Sequence, residues 1–209
     1  MNLRERLALY VITDRGLARG RDEVEIARAA LRGGATALQL RGKDRDARPL
    51  CELGRALLLE SRAAGALLFV NARLDVAQAL GADGVHLGQE DRPCAEARRI
   101  AGPGLLIGVS AESPTLAQAA ERDGADYLGT GAVYATSSKA DAGAPIGVAG
   151  LAAVVAATRL PVVAIGGIGI ANAAPCIAAG ACGVAVISAV VGADDPEAAA
   201  RELAAAIGR

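Results

Sequence analysis

Eight short runs rich in Val, Ile and Leu recur along the chain: LALYVITD, ATALQLR, ALLFVN, DGVHLG, LLIGVS, DYLGTG, PVVAIGG and GVAVIS. Each is only a few residues long and nearly uninterrupted by polar groups, the pattern of a strand buried on both faces, as in a parallel sheet. Between them lie longer segments containing Ala, Arg and Glu, with the length and spacing of amphipathic crossover helices. Glycines that can take the left-handed conformation ending a helix precede four of the strands, at Gly33 and Gly34, Gly81, Gly124 and Gly180. Eight regular βα units without a linker or a break in composition predict one α/β domain over 1–209, a single (β/α)8 TIM barrel, rather than an open doubly wound sheet. A chain of 209 residues lies near the small end for that fold, leaving little room for insertions; 132–147 reads as the one extended loop.

Composition narrows the partners. The 22 basic and 23 acidic residues give a formal charge of −1, with neither the basic stripe of a nucleic-acid binder nor an acidic tail. The longest apolar runs are broken well short of the roughly 18 residues of a membrane span. Four cysteines show no CxxC pairing, and the start MNLRERLALYVITD lacks the apolar segment of a signal peptide, so a reduced, cytoplasmic enzyme is expected.

A TIM barrel builds its active site at the carboxyl ends of its strands. There, QLRGK places Gln39, Arg41 and Lys43 at alternate positions, on one side of an extended chain, and this side faces the pocket if Leu40 packs toward the helices. Two cations and an amide at a barrel mouth suit an anionic, phosphorylated substrate, where the bland alternative is a solvated turn. The third strand ends in Asn71 and the fourth leads into GQED, whose Glu90 and Asp91 offer oxygen ligands for a hard cation such as Mg2+. His86 is the only histidine, which excludes a multi-histidine metal site; a serine–histidine triad lacks a nucleophile-elbow motif. Ser110 ends the fifth strand, and ATSSK after the sixth supplies Thr136, Ser138 and Lys139, able to grip phosphate or to form a solvated loop. Gly166 and Gly167 after the seventh strand, with Ile187 and Ser188 leading from the eighth toward a short helix, match the recurrent phosphate site of these barrels.

The order and spacing of LYVITD, QLRGK, GADGVHLGQED, GVSAES, GADYLGTGAVYATSSK, AIGGI and NAAPCIAAGACGVAVISA closely resemble the thiamine-phosphate synthase (thiamine phosphate pyrophosphorylase) family over nearly the whole chain. The resemblance implies that 4-amino-5-hydroxymethyl-2-methylpyrimidine diphosphate and hydroxyethylthiazole phosphate are joined, with release of pyrophosphate through a dissociative, Mg2+-assisted step. It assigns Arg41, Lys43, Asn71, Ser110 and Lys139 to the pyrimidine diphosphate, Gln39 and His86 to the vicinity of its ring, and Asp91 to the metal. Thr136, Ser138, Gly167, Ile187 and Ser188 would surround the thiazole phosphate.

At two places the chain departs from the family pattern. Asn-Asp, whose aspartate serves the metal, is replaced by Asn71-Ala72, and Glu112 stands where a histidine is common. Three explanations are open for Ala72: Mg2+ held by Asp91, diphosphate and water; compensation by Glu90 or Asp75; or loss of activity. The rivals are accordingly a thiazole tautomerase-like isomerase, in which a histidine replaces Ser110, and a noncatalytic phosphate-ligand-binding paralogue.

Overall fold

The computed structural model describes residues 2–42, 45–138 and 143–209. The eight apolar runs form β1 (Leu9–Ile12), β2 (Ala37–Leu40), β3 (Leu67–Asn71), β4 (Gly84–Leu87), β5 (Leu106–Ser110), β6 (Tyr127–Thr130), β7 (Val162–Ile165) and β8 (Gly183–Val186). All neighbours pair in parallel and in sequence order, and β8 pairs with β1 to close the barrel. A single-turn α1 (Leu3–Arg6) precedes β1. The crossovers are α2 (Glu23–Arg32), α3 (Ala47–Ala64), α4 (Leu74–Leu80), α5 (Cys94–Ala101), α6 (Pro114–Arg122), α7 (Gly147–Ala156) and α8 (Ala173–Ala178). The short α9 (Ser188–Val191) and then α10 (Pro196–Ala206) follow β8.

Alternation along the strands divides two cores. Leu9, Val11, Leu38, Leu40, Leu68 and Val70 point outward and pack with the helices, whereas Tyr10, Ile12, Ala37, Leu67, Phe69, Tyr127, Val163 and Ala185 fill the barrel. Helix α3 shows why its segment is helical: Leu50, Gly54, Leu57, Leu58 and Ser61 are buried on one stripe, and Gly65 ends it at φ +68°. Asp22, Ser113 and Asp195 cap α2, α6 and α10 through their side chains, the latter two ahead of a proline in the first turn.

Large rings and glycines share the barrel interior. Phe69, Tyr127 and Tyr10 lie with ring centroids 5.1–5.3 Å apart along the pairs Phe69–Tyr127 and Tyr10–Phe69. A β-carbon on Gly108 would stand 2.1 Å from Tyr127 Cζ, one on Gly84 2.6 Å from the Phe69 ring, and one on Gly129 2.8 Å from His86 Cε1. The rings therefore occupy the space that these glycines leave, on the adjacent strand for Phe69 and Tyr127 and two strands away for His86.

Two expectations need correction. Residues 132–147 are not the one long connection, because β1 and α2 are joined by 13–22, where Asp14 and Ala18 fold the chain through local hydrogen bonds. Gly34, Gly81, Gly124 and Gly180 have positive φ, but Gly33 is right-handed at φ −74°. Its requirement is close approach: a β-carbon there would lie 2.4 Å from the Glu197 carbonyl oxygen.

Candidate active site

At the carboxyl end of the barrel the strand termini enclose a pocket of about 560 Å³. Lys43 and Lys139 lie outside the described residues. The other eleven residues assigned to substrate or metal from the resemblance all line this pocket.

One wall rises from β2 and β3. Leu40 is fully buried toward the helices, so Gln39 and Arg41 turn inward, as the alternation expects. Gln39 is only 3% exposed and donates through Nε2 to the Tyr10 hydroxyl at 3.0 Å. Arg41 is held by an ion pair with Asp14, whose other carboxylate oxygen accepts from the Leu17 N–H at 3.0 Å. This partner was not foreseen: it stands on the 13–22 connection, brought beside β2 by the barrel.

The opposite wall comes from β4, β5 and β6. His86 Nε2 meets Ser110 Oγ at 3.1 Å, and its Nδ1 meets the Tyr127 hydroxyl at 3.0 Å. A serine–histidine pair thus exists, but among the described residues the hydrogen-bond partner on its other ring nitrogen is a phenol where a triad has a carboxylate. Tyr127 in turn meets the Tyr10 hydroxyl at 3.0 Å. Burial, the largest effect on both phenols, pushes their pKa values well above the ordinary tyrosine value, so both stay protonated. Tyr10 and Tyr127 escaped the sequence reading. The available signal was a tyrosine inside an apolar strand, whose hydroxyl needs a buried partner.

The metal question falls on the rim between these walls. Asp91 Oδ2 accepts from the Gly88 N–H at 2.7 Å, which fixes the carboxylate at the pocket edge, and Glu90 and Glu112 line the same pocket. Asp75 does not: Arg73 binds it through two hydrogen bonds of 2.6 and 2.8 Å, and it is absent from the lining. Of the two acids considered as substitutes for the missing aspartate, only Glu90 is placed to serve. Among the described residues no cluster of three His, Cys, Asp or Glu side chains could hold a metal unaided. The oxygen donors fit a hard cation that takes its remaining ligands from substrate phosphate and water.

Ala72 lies on this rim with φ +61°, in the left-handed region. Its N–H donates to the His86 carbonyl at 2.8 Å, and the flanking Arg73 N–H to Asn71 O at 2.7 Å, so backbone bonds impose the conformation. Asp and Asn tolerate that region better than other residues bearing a β-carbon. The turn has the shape suited to an aspartate and holds an alanine.

Loops from β6, β7 and β8 close the third side. Gly166 and Gly167 both have positive φ, and a β-carbon on Gly167 would lie 2.5 Å from the Ala135 carbonyl oxygen. The 131–138 segment therefore packs directly on the glycine turn, bringing Thr136 and Ser138 to Ser188; Ser138 and Ser188 hydroxyls are 3.3 Å apart. A hollow lined by Thr136, Ser138, Gly167 and Ser188 opens beside the main pocket. Hydroxyls and backbone without a described carboxylate suit an anion there.

The comparisons with known proteins agree with this geometry. The family model described as thiamine monophosphate synthase matches residues 9–190. The thiamine-phosphate synthase of Moorella thermoacetica is 55% identical over 195 residues, covering 93% of each chain. That of Pyrococcus furiosus is 51% identical over 203 residues, covering 97% of this chain and 96% of its own. The solved structure of thiamine phosphate pyrophosphorylase from Pyrococcus furiosus superposes with a TM-score of 0.92 at 48% identity, covering 99% of this chain and 98% of that one. A 3-hexulose-6-phosphate synthase structure, at 22% identity and a TM-score of 0.70, shares the fold alone. This chain belongs to the thiamine monophosphate synthase family.

Proposed function

We propose that this transferase joins 4-amino-5-hydroxymethyl-2-methylpyrimidine diphosphate to hydroxyethylthiazole phosphate, forming thiamine phosphate and pyrophosphate. The observation that carries the reading is the convergence, in one pocket, of a ring-lined floor, a polar rim and a hydroxyl–glycine loop. Those three parts correspond to a heteroaromatic ring, a diphosphate and a second phosphate.

The pyrimidine rests on the floor beside Gln39 and His86, with its diphosphate toward Arg41, Asn71 and Ser110. The C–O bond to the diphosphate breaks with its electron pair leaving on oxygen, and the thiazole nitrogen supplies the pair that makes the new C–N bond. Neither step needs a covalent enzyme nucleophile. The protein orients two rings and meets the negative charge developing on the departing group. Arg41 serves this purpose already oriented, because Asp14 holds its guanidinium before substrate arrives. Lys43 and Lys139 add positive charge in this reading, through the family resemblance. Thr136, Ser138, Gly167, Ile187 and Ser188 hold the thiazole phosphate, which fixes the nucleophilic nitrogen in line.

Mg2+ is the cation we assign to the rim, with Asp91 as its protein ligand and Glu90, which lines the same pocket, as a candidate for a second. When bound, it neutralises charge on the diphosphate oxygens.

The test mixes protein with both substrates across a Mg2+ series and follows thiamine phosphate as thiochrome. Product over many turnovers supports the reading. No turnover at any Mg2+ concentration, from either wild type or Ala72→Asp, overturns it; conversion of an aminothiazole carboxylate phosphate would then identify a tautomerase, and tight thiamine phosphate binding without turnover a binding protein.

A further inference from the structure

The barrel floor contains a polar chain in which every bond joins side chains from different strands. Gln39 Nε2 lies 3.0 Å from Tyr10 Oη, which is 3.0 Å from Tyr127 Oη. Tyr127 Oη is 3.0 Å from His86 Nδ1, and His86 Nε2 is 3.1 Å from Ser110 Oγ. Both ends, Gln39 and Ser110, line the pocket.

Proton counting gives this chain a direction. An amide N–H can only donate, so Tyr10 Oη accepts from Gln39. The hydrogen of Tyr10 then has Tyr127 Oη as its acceptor among the described residues. Tyr127 must pass its own hydrogen to His86 Nδ1, which leaves the imidazole proton on Nε2 and directs it to Ser110. Ser110 in turn presents its hydrogen to the pocket. If Gln39 turned its amide over, Oε1 would accept from Tyr10 and every later bond would reverse, leaving Ser110 as an acceptor.

We propose that Tyr10 and Tyr127 are positioning residues that couple Gln39 to Ser110 through a single tautomer of His86. A ligand amino group that donates to Gln39 Oε1 thereby favours a Ser110 hydroxyl that donates to an anion. A ring that presents only an acceptor to Gln39 turns the amide over, leaves Ser110 as an acceptor and removes that coupling. The ligand part of this inference rests on the function proposed above; the tautomer does not.

The solitary histidine makes the tautomer measurable without assignment. In 15N-labelled wild-type protein, without ligands and above the imidazole titration, long-range proton–nitrogen correlation should show a protonated Nε2 and an unprotonated Nδ1. Tyr127→Phe keeps the ring against Phe69 and Tyr10 but removes the donor, and should give tautomer averaging or a protonated Nδ1. A wild-type protein with the proton on Nδ1 or with averaged tautomers, or an unchanged spectrum in folded Tyr127→Phe, would overturn the proposal. Should that variant not fold, the wild-type spectrum decides alone, a protonated Nδ1 or averaged tautomers overturning the proposal.

Calorimetry with inorganic pyrophosphate and Mg2+, with and without the aminopyrimidine alcohol, tests the coupling. The alcohol should tighten pyrophosphate about 5-fold or more in wild type and leave it unchanged in Tyr127→Phe. Equal coupling in both proteins, or none in wild type, refutes this coupling. Failure of both ligands to bind a protein with the expected tautomer would instead count against the proposed function.

Discussion

Ala72 offers the sharpest test, since one side chain bears on both the backbone and the proposed metal. At φ +61° an L-residue with a β-carbon carries a penalty of about 1–2 kcal/mol that Asn and Asp largely avoid by local hydrogen bonding. Ala72→Asn should therefore stabilise the fold by about 1 kcal/mol, raising Tm by about 2–4 °C for a chain of this size. Ala72→Gly relieves the same strain but adds about 0.5–1 kcal/mol of unfolded-state entropy, so its gain should be smaller. Thermal unfolding without metal or substrate isolates this effect. The Mg2+ concentration needed for half-maximal turnover then isolates the carboxylate: Ala72→Asp should lower it and Ala72→Asn should not. Asparagine thus separates relief of the turn from coordination. An Asn variant no more stable than wild type would refute the strain argument. An unchanged Mg2+ requirement in Ala72→Asp, or an equal fall in both variants, would refute the idea that a missing ligand sets that requirement.

Further expectations follow from packing and charge. Gly108→Ala, whose new methyl would stand 2.1 Å from Tyr127 Cζ, should cost about 1–3 kcal/mol in urea denaturation; an unaltered midpoint would show that the ring moves freely. Glu60, Glu197 and Asp75 are held below their ordinary pKa values chiefly by hydrogen bonds from Arg28, Arg32 and Arg73, and Glu121 by one from Thr158. Depressed carboxylates contribute stability that is complete above their unfolded values, 3.8 for Asp and 4.5 for Glu, and lost as pH falls through the lower folded ones. The urea midpoint should accordingly decline from about pH 5 downward, and a midpoint flat to about pH 3 would contradict this. Burial pushes the Cys94 and Cys182 thiols up to about 11, so at neutral pH both should resist iodoacetamide until denaturant is added; labelling at the rate of a free thiol would contradict their placement.

Much of this architecture is legible in the sequence for a physical reason. A parallel barrel buries both faces of every strand, so its strands read as continuous apolar runs, and polar groups beginning abruptly at Asn71, Ser110 or Arg41 mark the mouth. The alternation of Gln39, Leu40 and Arg41 similarly settles which side chains face the pocket, since a strand has a period of two. What stayed hidden depends on contacts between distant strands. Tyr10 and Tyr127 are 117 positions apart, and no local pattern announces that their hydroxyls meet. The Arg41–Asp14 pair crosses from one connection to another strand in the same way. Ala72 was visible as a departure from the family pattern, but its left-handed backbone was not, because alanine carries no preference for that conformation.

The glycines facing Phe69, Tyr127 and His86 have a consequence for how this barrel can change. Tyr127 and Gly108 form a matched volume across a strand pair, and His86 and Gly129 form one across the barrel interior, so enlargement on one side calls for reduction on the other. Depth of the ligand chamber is consequently written in residues without side chains, on the same strands that carry His86 and Ser110. Diversification of this interior should proceed by paired exchange, small for large, with Gly108–Tyr127 moving as a unit, whereas Gly84 is also closed by the Leu106 carbonyl oxygen, 2.5 Å from a β-carbon there. A search for altered ring specificity that varies one position at a time would lose stability before it met new chemistry.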